Sequence, residues 1–275
     1  MSRLGGVFRD LQEQNRKGLI PYVVAGDPSP EGTVALLHSL VEAGADVLEV
    51  GVPFSDPMSE GPVIQQGHER ALANGMSLQR VLEMVTAFRR DNDATPIVMM
   101  GYANPIERFG YDAFAKACAE AGVDGLITVD LPPEEVDAID GALQSVGLDN
   151  IFLISPTTPE ARMQNIVERA RGFIYYVAVK GVTGSGQLDT DEVARSVSLI
   201  REKTALPIAV GFGIKDAASA SAVAASADAV VVGSALIAEM EQKARSAEGL
   251  AEIQIHGAAV KLLQSIRAGV DSSPS

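Results

Sequence analysis

Val47-Leu48-Glu49-Val50-Gly51-Val52-Pro53-Phe54-Ser55-Asp56-Pro57-Met58-Ser59-Glu60-Gly61-Pro62 is an apolar run that carries one carboxylate and passes straight into a Gly/Pro-punctuated loop bearing two more. A short apolar, β-branched run closed by Gly and Pro reads as a strand. Side chains alternate along a strand, so Val47 and Glu49 share one face while Leu48 and Val50 share the other. A carboxylate at the end of an otherwise apolar strand must be paired, hydrated or neutralised, because burying it alone costs several kcal/mol. Such a placement points to chemistry.

The same alternation of short apolar runs with segments of helical period continues along the chain. Eight strands are predicted at 19–24, 45–50, 96–101, 125–128, 151–154, 173–177, 207–210 and 229–232. Helical stretches are predicted at 30–43, 77–90, 111–121, 134–145, 159–171, 189–203 and 217–225. Eight βα units in 275 residues fit a single α/β domain, a closed (β/α)8 TIM barrel over 1–275. A doubly wound sheet would carry a GxGxxG turn after its first strand, whereas that strand here ends Ala25-Gly26-Asp27-Pro28. Outside the repeat, an extra N-terminal helix within 1–15 is expected to plug the barrel bottom, an amphipathic helix is expected over 249–268, and 270–275 reads as a frayed tail.

Composition narrows the function classes. A hydrophobic fraction of 47% is ample for a core, and a net charge of −14 argues against nucleic acid, whose phosphates attract Lys and Arg clusters. The single cysteine, Cys118, suits a reducing cytoplasm, and no Cys/His group has metal-ligand spacing. The start of the chain lacks the apolar core of a signal peptide, and its apolar runs are too short to span a bilayer, so a soluble, unprocessed protein is expected.

Active sites of such barrels form at the carboxyl ends of the strands. The seventh strand runs into Gly211-Phe212-Gly213-Ile214 and the eighth into Gly233-Ser234 before a helix, an arrangement that either cradles a phosphate or merely turns tightly. After the sixth strand, Lys180-Gly181-Val182-Thr183-Gly184-Ser185-Gly186-Gln187-Leu188 has the composition of a lid or of a plain surface loop. Met100, Ile127, Val129, Leu153, Tyr175, Val177, Phe212 and Val231 have parities that could face inward, giving an apolar pocket or ordinary barrel core. His38, His68 and His256 fall in helical segments, read as solvated, and are assigned no chemistry. Lys180 leaves a Schiff-base aldolase as an enzymatic rival, and a silent phosphate-binding barrel that regulates a partner is the rival from another class.

Glu49, the Pro53-to-Pro57 loop, Gly61-Pro62-Val63-Ile64-Gln65, Met100-Gly101-Tyr102-Ala103-Asn104-Pro105, Asp130, Gly181-Val182-Thr183-Gly184 and the two glycine turns together resemble the tryptophan synthase alpha chain family, from about Asn15 to the final helix. The resemblance implies a cofactor-free retro-aldol cleavage of indole-3-glycerol phosphate to indole and glyceraldehyde 3-phosphate. It implies Glu49 as catalytic acid/base, Tyr175 near the reacting carbons, and Phe212 along the indole site. Gly184, Gly213, Gly233 and Ser234 match phosphate-binding positions, and Asp56 with Thr183 matches a pair coupling loop to lid. The family's second carboxylate, which accepts the indole N–H, is usually aspartate; here it is Glu60, whose extra methylene lengthens the reach by roughly 1.3–1.5 Å. A helix-start carboxylate without catalytic duty is the other reading of Glu60. Val179-Lys180 also departs from the Arg-Ala of some members. The resemblance further implies an α2β2 complex in which a beta chain carrying pyridoxal phosphate receives the indole by channelling and makes tryptophan. Pro53, Asp56 and Asn104 would lie near that partner.

Overall fold

A computed structural model describes residues 2–178, 189–211, 213–246 and 252–273. The strands are β1 (Gly18–Val24), β2 (Leu48–Gly51), β3 (Ile97–Gly101), β4 (Gly125–Thr128), β5 (Asp149–Ile154), β6 (Ile174–Val177), β7 (Ile208–Gly211) and β8 (Ala229–Val232). Each pairs in parallel with the next, and β8 returns to β1 through Ile20 opposite Val231, so the barrel closes. Interleaved are α1 (Arg3–Glu13), α2 (Thr33–Glu42), α3 (Pro62–Ala73), α4 (Leu78–Phe88), α5 (Ala103–Phe109) and α6 (Tyr111–Ala121). They are followed by α7 (Asp137–Ser145), α8 (Glu160–Arg169), α9 (Thr190–Arg201), α10 (Ala217–Ala224), α11 (Ser234–Ser246) and α12 (Glu252–Asp271). The expected TIM barrel with helices added at both ends is the observed architecture. The last helix continues to Asp271, where the Arg267 guanidinium bonds its carboxylate at 2.6 Å. Among the described residues no helix is long and apolar enough to cross a membrane.

Strand parity divides the apolar residues into two layers, as alternation requires. Leu48 and Val50 face outward into the layer between barrel and helices, with Leu36, Leu40 and Val85. Val47 faces inward with Ile20, Val98, Ile127, Ile151, Phe173 and Ala229. Leu4, Phe8 and Leu11 of α1 join this inner cluster, and the Phe8 and Phe173 ring centroids lie 5.6 Å apart. The amino-terminal helix is therefore a plug in the barrel floor, started by Ser2, whose hydroxyl caps it by accepting the Gly5 N–H.

At that floor one device recurs. Asp46, Asp124 and Asp228 stand just before β2, β4 and β8. Each accepts the backbone N–H of a residue in the preceding strand of the ring: Leu19 at 2.9 Å, Ile97 at 2.7 Å and Ile208 at 2.9 Å. Each also takes a guanidinium: Arg267 at 2.9 Å, Arg89 at 2.8 Å and Arg201 at 2.9 Å. Arg3 of α1 adds a contact to Asp124 at 2.9 Å, which ties the plug to the ring. The device explains why β2 starts at Leu48 rather than at the expected Ala45. Asp46 is occupied with β1 and Arg267, and the Ala45 N–H is given to Leu40 O at the end of α2.

Because the floor is closed by α1, Phe8→Ala should lower the unfolding free energy by about 3–5 kcal/mol, the usual cost of emptying a buried aromatic site. Urea denaturation checks this, and a loss below about 1 kcal/mol would mean that the plug is dispensable.

Candidate active site

At the opposite end the strands open into a cavity of about 400 Å³, within the usual range for small-molecule sites. Met100, Val129, Leu153, Val177, Val231 and Ile64 supply its apolar wall, and Tyr22, Glu49, Glu60 and Tyr175 are its titratable lining. Gly213, Ile214, Gly233 and Ser234 form the rim contributed by the loops after β7 and β8. Of the residues expected to face inward, Met100, Val129, Leu153, Tyr175, Val177 and Val231 line this cavity, and Ile127 lies in the cluster beneath it.

The register aligns Tyr22 of β1, Glu49 of β2 and Val98 of β3 across the ring. Glu49 is 1% exposed, and neither carboxyl oxygen has a hydrogen-bond partner among the described residues. Burial, with a smaller push from the Glu60 charge, raises its pKa to about 8. Near neutrality Glu49 thus holds its proton.

Glu60 shows the opposite behaviour. Its Oε1 accepts the Tyr102 hydroxyl at 2.8 Å, and its Oε2 accepts the Tyr22 hydroxyl at 2.6 Å and lies 3.1 Å from His68 Nε2. Burial pulls the Glu60 carboxyl upward, but the contacts from His68, Tyr22 and Tyr102 together outweigh it and hold the group below the usual carboxylate range. The two acids are pushed apart in pKa, which leaves one protonated and one ionised carboxyl on the same cavity. Tyr22 and Tyr175 are raised well above the ordinary phenol value, by burial first and then by the two carboxylates, so both keep their protons.

Two glycines make room for these phenols. A methyl group on Gly51 would sit 2.3 Å from the Tyr22 hydroxyl oxygen, and one on Gly211 would sit 2.3 Å from that of Tyr175. The β1–β2 and β6–β7 pairs repeat this arrangement, each strand-end glycine lying under the phenol of the preceding strand. The bare backbone is required by close approach.

Ser234 opens α11, and the Gly233 carbonyl accepts the Leu236 and Ile237 N–H groups, so the helix points its amino end at the rim. Unsatisfied N–H groups and the dipole favour an anion there. Asp56 is exposed on the β2–α3 loop, where it accepts the Ser55 hydroxyl at 2.5 Å. Gly184, Thr183 and Phe212, with the remainder of the Lys180-to-Leu188 segment, lie outside the described residues.

The reading of the histidines is corrected. His68 is 1% exposed and lies against Glu60, Tyr22 and the Phe54 N–H rather than in solvent, and His256 is also buried. Tyr22 and Tyr102, which sequence reasoning did not single out as site residues, supply two of the three donors to Glu60. A signal existed for His68: Ile64, Gly67, His68 and Ala71 fall on one face of α3 at helical spacing, and that face is turned inward. Among the described residues no group of three or more His, Cys, Asp or Glu could hold a metal ion.

A family model described as tryptophan synthase alpha chain matches residues 8–264. The chain is 58% identical over 241 residues to the tryptophan synthase alpha chain of Bordetella parapertussis, covering 87% of this chain and 85% of that relative. It is 54% identical over 274 residues to the one from Thiobacillus denitrificans, covering 99% and 97%. The crystal structure of tryptophan synthase subunit alpha from Legionella pneumophila superposes with a TM-score of 0.90 at 45% identity, covering 98% of this chain and 99% of that one.

The buried Glu49 links stability to pH. The folded chain retains a proton up to about 8 that the unfolded carboxyl releases near 4.5, so the stability contributed by Glu49 should be full below 4.5 and be lost as pH rises to about 8. Denaturation of wild type and Glu49→Gln across that interval should show the steeper decline in wild type. Parallel curves would mean that Glu49 is ionised in the fold.

Proposed function

The chain belongs to the tryptophan synthase alpha chain family, whose reaction is the carbon–carbon lyase cleavage of indole-3-glycerol phosphate in tryptophan synthesis, and on that premise we propose that Glu49 and Glu60 divide the proton chemistry between them. The observation that carries this reading is the contrast in hydrogen bonding: Glu49 with two unpartnered oxygens and a raised pKa, Glu60 with three donors and a lowered one, on one cavity.

Protonated Glu49 delivers its proton to indole C3, which makes the ring an electron sink. Positive charge then develops on the ring nitrogen, whose N–H donates to the Glu60 carboxylate. The Glu49 carboxylate next takes the proton of the hydroxyl on the carbon attached to C3. The C–C bond breaks toward the ring, indole leaves as the neutral aromatic, and that carbon becomes the aldehyde of glyceraldehyde 3-phosphate. Glu49 ends protonated, so the cycle closes without metal or organic cofactor in this chain. The apolar wall favours the indole ring and raises the strength of each electrostatic contact. Tyr175, half-buried on the cavity wall with the carboxylates, is positioned near the reacting carbons, while Gly213, Gly233 and Ser234 receive the phosphate at the far rim.

We assign the product indole to a beta chain that carries pyridoxal phosphate, in an α2β2 assembly. The β2–α3 loop supports this: Asp56 is exposed and Met58 is 79% exposed on the stretch leading to Glu60, and Asn104 is exposed at the start of α5, while Pro53 is buried beneath the loop. A reducing compartment, the cytoplasm, fits the lone buried thiol of Cys118.

Indole release from indole-3-glycerol phosphate tests the assignment. Glu49→Gln should lower the rate by roughly 10²–10⁴-fold. In wild type the rate should fall as pH rises through about 8, where Glu49 gives up the proton it must deliver. Equal rates for the two proteins would remove Glu49 from the mechanism.

A further inference from the structure

Glu60 has one more rotatable bond than the aspartate usual at this position, so contacts must fix where its carboxylate points. His68, on the second turn of α3, provides the contact farthest from solvent. The Phe54 backbone N–H meets its Nδ1 at 3.1 Å. An amide N–H only donates, so Nδ1 is the acceptor, and the hydrogen-bond network assigns the ring proton to Nε2. Nε2 lies 3.1 Å from Glu60 Oε2 and 3.3 Å from the Tyr22 hydroxyl. The helix itself is pinned behind the site: two turns from its start, Arg70 grips Asp27 at 2.7 and 3.0 Å.

A carboxylate offers about four acceptor positions. Tyr22 and His68 take those of Oε2, and Tyr102 takes one of Oε1. One position on Oε1 is left over. The Phe54 ring stacks on Tyr102 with centroids 4.7 Å apart, so the loop residue that orients His68 through its N–H also braces the donor on the other oxygen.

We propose that His68 is a positioning residue for the cleavage reaction: with its proton fixed on Nε2 by the Phe54 N–H, it holds Glu60 Oε2 against Tyr22 and leaves a single Oε1 lone pair to receive the indole N–H. The inference rests on the role assigned to Glu60. The titratable groups that face Glu60 are Tyr22 from β1, Glu49 from β2, Tyr102 after β3, Tyr175 from β6 and His68 from α3, with the Asp27–Arg70 pair behind. Of these, His68 links Oε2 to the loop backbone at Phe54, while Tyr102 links Oε1 to it at Ser59.

Two substitutions separate its two contacts. His68→Asn keeps an acceptor for the Phe54 N–H but is too short to reach Glu60, whereas His68→Gln places an amide N–H about where Nε2 stood. With indole-3-glycerol phosphate and the full chain, His68→Asn should lose roughly ten- to a hundredfold in kcat, the scale of one hydrogen bond to a charged group, with a smaller change in KM. The acid limb of its pH–rate profile should move to higher pH, because ionised Glu60 has lost a donor. His68→Gln should recover most of kcat and the wild-type acid limb.

The proposal is overturned if His68→Asn stays within about twofold of wild type with its acid limb unmoved. It also falls if His68→Gln is as impaired as His68→Asn while both melt cooperatively. Should Asn abolish cooperative melting, the acid limb of His68→Gln decides, expected at the wild-type position and overturning the proposal if displaced upward. Glu60→Gln is assayed alongside. A wild-type rate for that variant would sink the role of Glu60 and this inference together, whereas an impaired Glu60→Gln beside an unaffected His68→Asn would sink this inference alone.

Discussion

A carboxyl group with no hydrogen-bond partner, buried in an apolar barrel mouth, is a costly thing to build, and the surrounding structure is arranged around its presence. Glu49 avoids the full penalty of a buried charge by keeping its proton, which makes it an acid at neutral pH. The charge on its neighbour Glu60 adds a smaller push in the same direction, and that charge is itself solvated by protein dipoles. Three donors provide the substitute solvation, and each sits on a different element: β1, the end of β3 and α3. Were one carboxylate solvated like the other, both would titrate together and neither would be specialised.

The barrel makes this contrast possible by assigning its two ends to different tasks. At the floor, Asp46, Asp124 and Asp228 satisfy strand-end N–H groups and guanidinium partners, and α1 fills the remaining space with Leu4, Phe8 and Leu11. Those carboxylates are spent on structure, and they secure the register that aligns Tyr22 with Glu49. At the mouth, the strand-end glycines Gly51 and Gly211 remove the Cβ atoms that would push the phenols away. The floor thus carries the ion-paired carboxylates and the mouth the open cavity, the usual division of such barrels between stability and chemistry.

Much of this is legible in the chain because strand alternation is a strict rule. The parity of Val47 through Val50 puts Val47 and Glu49 on one face and Leu48 and Val50 on the other, and the barrel turns the first face inward. The floor device also leaves a trace, since Ala43-Gly44-Ala45-Asp46, Ala121-Gly122-Val123-Asp124 and Ala225-Ser226-Ala227-Asp228 each place an aspartate at the approach to a strand. What the sequence did not yield was the set of partners of Glu60. Tyr22, Tyr102 and His68 are 38, 42 and 8 residues from it in sequence, and the pairing of β1 and β3 on either side of β2 and the packing of α3 bring them together. A histidine on a helix is usually solvated; that this one is not was legible only from its company on the inward face of α3, where Ile64, Gly67 and Ala71 flank it at helical spacing.

The substitution of glutamate for aspartate at position 60 is therefore best understood as part of a set. A longer carboxylate on an unchanged loop would reach farther into the cavity and sample more rotamers, losing the alignment on which proton chemistry depends. Here its added length is taken up by a ring of donors: phenols on either side, and an imidazole oriented by the backbone of the same loop. The imidazole has to stand behind the carboxylate, where α3 can supply it, and Gly61 at the helix entry, with φ of +81°, turns the chain from Glu60 into that helix. Length in the side chain is thus matched by the donors around it, and the reach of a carboxylate is set by the contacts that hold it as much as by its own bonds.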